Sequence, residues 1–333
     1  MESFKFSHPI ELLHVWKDMA DLIVPEVFKS TAFRNLFGSK FDLVFLELFF
    51  AQEAFVVLGR LFDAHIVTYS SFGYRTQILK LLGATNAFSY IPHKDLPYAG
   101  PMKLWASLDN VLMSYTTMVY VDFFYYPAHD EVIAEYIPGR HPPPITGMLQ
   151  NVSLFFLTAD TAIDGAKLYP PCVIEIAGLH LKDPAPLDEE LQSIMDNAKS
   201  GVVYFSYGSV VKMSHLPREM IEKFLTTFER LDQVVLWKSD LNTTDLTIPR
   251  NVHVKKWFAQ TGILAHPNCK LFVTHGGLSS MMEVIHAGVP VVGTSFYGDQ
   301  NQLGQRRAPR LWSTRPSYQS NSAMVRVSYQ ADC

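Results

Sequence analysis

Residues 257–300 constrain this chain more than any other stretch. Within them an apolar strand, Leu271–His275, runs into Gly276 and Gly277. Ser279 and Ser280 follow, then a helix with an apolar face over Ser279–Ala287, then a second strand, Pro290–Ser295, that leads to Asp299 and Gln300. A strand that delivers glycines and small hydroxyls to the start of a helix leaves backbone amides facing open space, which suits a phosphate. The chain therefore reads as a nucleotide-handling α/β protein. No Gly-x-Gly-x-x-Gly follows a strand and no acidic residue sits at the matching spacing, which disfavours a nicotinamide-dependent oxidoreductase.

Length and composition narrow the field. At 333 residues the chain is long for one core and comfortable for two domains. A net charge of -4 gives no basic face for nucleic acid, and none is expected as a partner. Cys172, Cys269 and Cys333 make no disulfide framework, and no histidine or cysteine cluster has a metal-ligand spacing, so no metal is expected. The first residues lack the apolar core of a signal peptide, and no apolar run reaches the length of a membrane span. Asn110–Tyr126 is aromatic and nearly uncharged. Two readings of it are open: a core or interdomain helix, or a helix that leans on a membrane surface. Asn151 and Asn242 begin Asn-x-Ser/Thr sequons, which matter only in a lumenal or secreted chain.

Along the chain, residues up to Gly38 have a helical pattern. Phe41–Leu46 reads as a buried parallel strand, the following apolar stretch as its helix and Ala64–Ser70 as the next strand, which together form a βαβ unit. Residues 83–104 read as a loop over one face and 105–138 as helical. Asn151–Thr158 and Pro170–Gly178 read as strands. His180–Asp188, with two prolines and alternating charge, is the best linker. It divides the chain into a first domain over 1–182, a second over 183–303 and an atypical tail over 304–333. The second domain predicts strands at Gly201–Ser209, Val234–Lys238 and Val252–Trp257, a helix over Pro217–Leu231 and a short helix near Gly262–Ala265. That pattern is a doubly wound sheet whose ligands belong at the carboxyl ends of its strands. The tail has no periodicity, and the chain is expected to be a piece lacking both ends.

The run from Trp257 resembles the signature of the UDP-glycosyltransferases, in particular the animal UDP-glucuronosyltransferase-like group and its arthropod members. The residues that carry it are Trp257 with Gln260, Ala265-His266-Pro267, Thr274-His275-Gly276-Gly277, Glu283, His286, Gly288-Val289-Pro290 and Gly298-Asp299-Gln300. Gly201–Ser209, Phe41–Glu47 and Cys172–His180 resemble further segments of that family, and the likeness spans about residues 10–303.

The resemblance implies an α/β fold of the GT-B type, two Rossmann-like doubly wound domains facing a cleft, with the N-terminal acceptor-binding domain incomplete and the C-terminal one binding the UDP-sugar. It implies inverting transfer of a hexosyl or glucuronosyl group from UDP-glucose or UDP-glucuronate to a small lipophilic acceptor, with no separate cofactor. Trp257 would stack on uracil, with Gln260 at the base edge; a core aromatic is the other reading of Trp257. His275 and the amides of Gly276, Gly277, Ser279 and Ser280 would hold the diphosphate, although His275 could instead be a packed neighbour of the helix start. Glu283 would accept both ribose hydroxyls, where alone it would read as a solvated helix residue. Gly208 and Ser209 would form the opposing lip, and Asp299 and Gln300 would meet the donor sugar. His286 reads as packing the helix.

The family's general base is a histidine near the start of the first domain, oriented by an aspartate. His8 and His14 are poor matches for it, and Glu47 stands at the orienting position, where it is either that catalytic carboxylate or a polar strand end. The family's place is the endoplasmic reticulum lumen, with membrane association of the full-length protein and possible homo- or hetero-oligomers. A catalytically weak donor-binding or regulatory form that associates with intact transferases is the alternative function.

Overall fold

The computed structural model describes residues 9–48, 51–73, 76–84, 88–96, 98, 102–137, 141–161, 165–294, 296 and 300. His8, Asp299 and the 304–333 tail lie outside them. The chain divides into two compact units, with the break between Ala177 and Gly178.

The first unit holds a four-stranded parallel sheet in sequential order, β1 (Leu43–Glu47), β2 (His65–Ser70), β3 (Leu154–Leu157) and β4 (Val173–Glu175). Its core joins Ile66, Phe155 and Leu157 of the strands to Ala20, Val24 and Phe28 of the helix Pro9–Lys29. The stretch after β1 is a 3-10 turn, Gln52–Val56, and a short helix, Val57–Phe62, rather than one long helix. Ala51 explains the break: it is left-handed (φ 70°), a conformation that a helix interior does not admit.

Helices at Leu104–Tyr120 and Tyr126–Tyr136 are joined through a π-helical turn, Val121–Tyr125. Asn110 is fully buried, donating to the Phe88 and Ile91 carbonyls and accepting from the His93 amide, so it pins the preceding loop to the helix. Met113, Thr117 and Met118 are buried on the same helix, whereas Trp105, Leu108, Leu112, Tyr115 and Val119 are exposed. The 110–126 segment therefore packs one face and leaves an apolar face bare. No helix of the described residues is long and apolar enough to cross a membrane.

The second unit is a five-stranded parallel sheet in the order β7-β6-β5-β8-β9. Its strands are β5 (Val202–Ser206), β6 (Val234–Lys238), β7 (Val252–Lys255), β8 (Cys269–Thr274) and β9 (Val291–Gly293). Every residue of β5 is buried, as expected of a central strand covered on both faces. Phe205 and Trp237 pack with Ile221, Leu225 and Phe228 of the helix Arg218–Glu229. Tyr204, pointing the other way, stacks on Phe272 at 5.1 Å. The chain winds outward from β5 through β6 to β7, then returns to lay β8 on the other side of β5. The order reverses between β5 and β8, which makes their carboxyl ends the switch point where doubly wound sheets bind ligands.

The break precedes the 182/183 boundary because the linker packs on the second unit. The Ala185 amide donates to Thr261 Oγ1, His180 Nε2 lies 3.2 Å from the Ser279 carbonyl, and Asp188 caps the helix Glu189–Asn197 by accepting from the Leu191 amide. Gly262 permits this: a Cβ there would sit 2.2 Å from the Ala185 carbonyl oxygen. Gly262→Val therefore overpacks a backbone contact and is expected to lower stability by about 1–3 kcal/mol. Chemical denaturation of the two proteins side by side checks this, and an unchanged midpoint contradicts it.

Candidate donor site

Strand pairing sets the two loops of the site side by side. Ser206 at the end of β5 is in register with Thr274 at the end of β8. Beyond them lie Gly208 and His275. Gly208 is left-handed (φ 76°), and a Cβ built on it would fall 2.6 Å from His275 Cε1. A Cβ on Gly277 would fall 2.7 Å from His275 Nε2. The imidazole thus occupies space that two glycines vacate, and neither position tolerates a side chain while His275 stays where it is.

Burial, with the nearby Lys238 ammonium adding to it, pushes the His275 pKa down to about 4. The ring is therefore neutral at pH 7 and acts as a hydrogen-bonding group rather than as a cation. Its Nδ1 lies 3.4 Å from Thr274 Oγ1, which also meets the Gly276 amide at 3.4 Å.

The helix Leu278–Ala287 starts directly after Gly277 and stops at Gly288, whose left-handed backbone (φ 70°) ends it. Ser280 and Glu283, three residues apart, share one face of it. Both are tied to Gln260, the first residue of the helix Gln260–Ala265. Gln260 Nε2 donates to Glu283 Oε2 at 2.7 Å and to Ser280 Oγ at 3.0 Å, and its Oε1 accepts from the Tyr204 hydroxyl at 3.2 Å. Burial pushes the Tyr204 phenol up, so it stays a neutral donor. Gln260, expected at a base edge, has both ends of its amide engaged in positioning Glu283.

Trp257, in the loop after β7, is 71% exposed, so the core reading of it does not hold. Lys238, the last residue of β6, places its Nζ 4.0 Å from the Trp257 ring centroid. Burial, and then Lys212, lower the Lys238 pKa. Lysine over indole is a favourable cation–π contact. The sequence pattern marks Lys238 only as a strand end and does not single out Lys238 or Lys212 as site residues. The available signal was a lysine at the carboxyl end of a strand, the end at which ligands bind.

The remaining expected residues divide. Ser209 and Ser279 are exposed, Gly276 is buried, and Ser280 is partly buried. His286 is exposed rather than packed against the helix. Gln300 is buried and clusters with the first unit. Glu47 also belongs to the first unit, at the end of β1. Its carboxylate accepts from the Ser71 hydroxyl and, at 3.3 Å, from the Ser71 amide, with the Tyr69 hydroxyl at 3.5 Å. Tyr69 is pushed up by burial and by that carboxylate. These contacts hold Glu47 to the end of the neighbouring strand; they do not join it to an imidazole.

The UDP-glucoronosyl and UDP-glucosyl transferase family model matches residues 5–310. The chain is 32% identical over 265 residues to UDP-glycosyltransferase UGT4 of Dactylopius coccus, covering 79% of this chain and 52% of that protein. It is 31% identical over 298 residues to mouse UDP-glucuronosyltransferase 3A1, covering 87% of this chain and 55% of the relative. The chain thus spans about half the length of the curated relatives it matches. Among solved structures, the glycotransferase of kitacinnamycin aligns with a TM-score of 0.54 at 16% identity, over 92% of this chain and 69% of that one. That likeness is one of fold, and the fold is GT-B.

His275 makes stability depend on pH. Its folded pKa lies below the usual 6.5, so the unfolded chain binds more protons between about pH 4 and pH 6.5. Stability from this group is complete above pH 6.5, falls as pH drops through that window and levels off below about 4. The total is on the order of 3 kcal/mol. Denaturation at several pH values should show this slope, and His275→Gln should flatten it. Equal slopes in both proteins contradict the burial of a neutral ring.

Proposed function

Because the chain belongs to the UDP-glucoronosyl and UDP-glucosyl transferase family, we propose that its second unit binds the uridine diphosphate of a UDP-sugar. In the full-length protein the sugar passes to the hydroxyl of a small lipophilic acceptor, with inversion at the anomeric carbon. The observation that carries this reading is the Gln260–Glu283–Ser280 network on the helix that begins at the His275 loop.

Each part of the ligand has a partner in this reading. The face of Trp257 away from Lys238 stacks on uracil. Glu283, held by Gln260, takes the ribose hydroxyls; a carboxylate accepts two such bonds, which a neutral amide in its place does not match. The amides from Gly276 to Ser280 take the diphosphate at the positive end of the helix, with Gly208 and Ser209 opposite. His275 adds a neutral N–H donor, and Lys238 adds the formal positive charge that a neutral His275 lacks. Asp299 and Gln300 remain assigned to the donor sugar, either glucose or glucuronate.

In transfer, negative charge grows on the leaving diphosphate, and donors fixed in advance stabilise it without reorganising at the moment of reaction. The acceptor proton goes to a histidine base that Glu47 orients; Ser71 and Tyr69 fix the direction of that carboxylate. The compartment of this reading is the endoplasmic reticulum lumen, with the full-length protein associated with its membrane.

Calorimetric titration with UDP tests the donor reading. The wild-type chain should bind UDP, and Glu283→Ala should weaken binding by about 1–3 kcal/mol, or roughly 5- to 150-fold. A folded chain that ignores UDP, or a Glu283→Ala variant that binds it equally well, overturns the reading. Lys238→Met separates charge from stacking: it should weaken UDP several-fold and leave uridine unchanged. An equal loss for both ligands would assign Lys238 to support of Trp257 instead.

A further inference from the structure

The two sequons differ in what their side chains are doing. In Asn151-Val152-Ser153 the nucleophilic atom is occupied: Asn151 Nδ2 donates to the Gly147 carbonyl at 2.8 Å. Val152 is buried within the core of the first unit. The Ser153 amide is bonded to the Ile66 carbonyl, and its hydroxyl faces His65 Nδ1 at 3.4 Å rather than Asn151. This tripeptide leads directly into β3 and is tied to β2 by the Ser153 amide.

Asn242-Thr243-Thr244 is built differently. All three residues are exposed, on the loop between β6 and β7. Leu241 before them and Leu246 after them pack on the core of the second unit, so the loop is anchored at both ends and its tip projects. Asn242 Oδ1 accepts from the Thr244 amide at 3.1 Å and from the Thr244 hydroxyl at 2.7 Å. Among the described residues nothing engages Nδ2. The bonds to Oδ1 draw electron density toward the oxygen, and the hydroxyl two residues on is already turned to the asparagine.

We propose that Asn242, and not Asn151, is an N-glycosylation acceptor of this protein. The co-substrate is an oligosaccharide carried on a polyprenyl diphosphate. Asn242 Nδ2 attacks the first sugar's anomeric carbon, a carbon–nitrogen bond forms and the bond from that carbon to the diphosphate breaks. The lipid diphosphate leaves with the electron pair, Nδ2 gives up one proton to the glycosylating enzyme, and no centre is oxidised or reduced. Occurrence in the cell rests on the lumenal placement proposed above; the competence of the site does not rest on donor binding.

The test expresses the whole chain behind a cleavable signal sequence in the presence of endoplasmic-reticulum microsomes and reads mobility with and without an N-glycan amidase. One amidase-sensitive shift is expected. Asn242→Gln and Thr244→Ala should each abolish it, while Thr243→Ala and Asn151→Gln should leave it in place. The Thr243→Ala and Thr244→Ala pair controls for folding, since both alter the same exposed tip. No shift in the wild type, a second shift, or a shift that survives Asn242→Gln overturns the proposal. If the chain is modified in microsomes but the natural full-length protein in cells is not, the acceptor stands and the lumenal placement falls.

Discussion

The His275 imidazole lies where side chains at positions 208 and 277 would otherwise be, and the parallel pairing of β5 with β8 brings those positions together. This steric arrangement shapes the whole site. Glycine at 208 lets the β5 loop turn in a left-handed conformation, and glycine at 277 lets the helix begin tight against the ring. Any side chain at either place would push the imidazole out and part the two loops. Gly208 and Gly277 therefore have a structural duty toward a neighbouring residue.

Electrostatics follow from the same packing. A ring held this closely is poorly solvated, so it is neutral at pH 7, and the site's formal positive charge comes from Lys238 instead. Lys238 is itself partly desolvated, and its ammonium is disfavoured first by that burial and then by the charge of Lys212. Glu283 places a carboxylate on the helix that follows the His275 loop, kept in position by Gln260. A ligand with a dianionic centre and a neutral diol at one end matches this order of charges.

Much of the frame was legible in the sequence because it rests on local pattern. The continuous apolar runs at 202–206 and 234–238 could be little else but buried parallel strands, and the alternation of strands with helices implied a doubly wound sheet, whereas the strand order came from the structure. What escaped notice joins residues far apart in the chain. Lys238 meets Trp257 only because β6 pairs with β7, and Gln260 holds Glu283 only because the helices Gln260–Ala265 and Leu278–Ala287 lie against each other. The linker shows the same limit. Its prolines marked it as a connection, but its attachment to the second unit depends on the absence of a Cβ at Gly262. Glu47 was found as a carboxylate at a strand end, while its bonds to Ser71 and Tyr69 required the register of β1 against β2.

The central claim is that one pocket at the β5/β8 switch point receives uridine diphosphate. A crystal structure of the chain grown with UDP tests it most directly. The account predicts the diphosphate against the amides of Gly276–Ser280 beside His275, the ribose on Glu283 and uracil on the open face of Trp257. Nucleotide density elsewhere on the molecule, with these side chains unmoved and uncontacted, would contradict it.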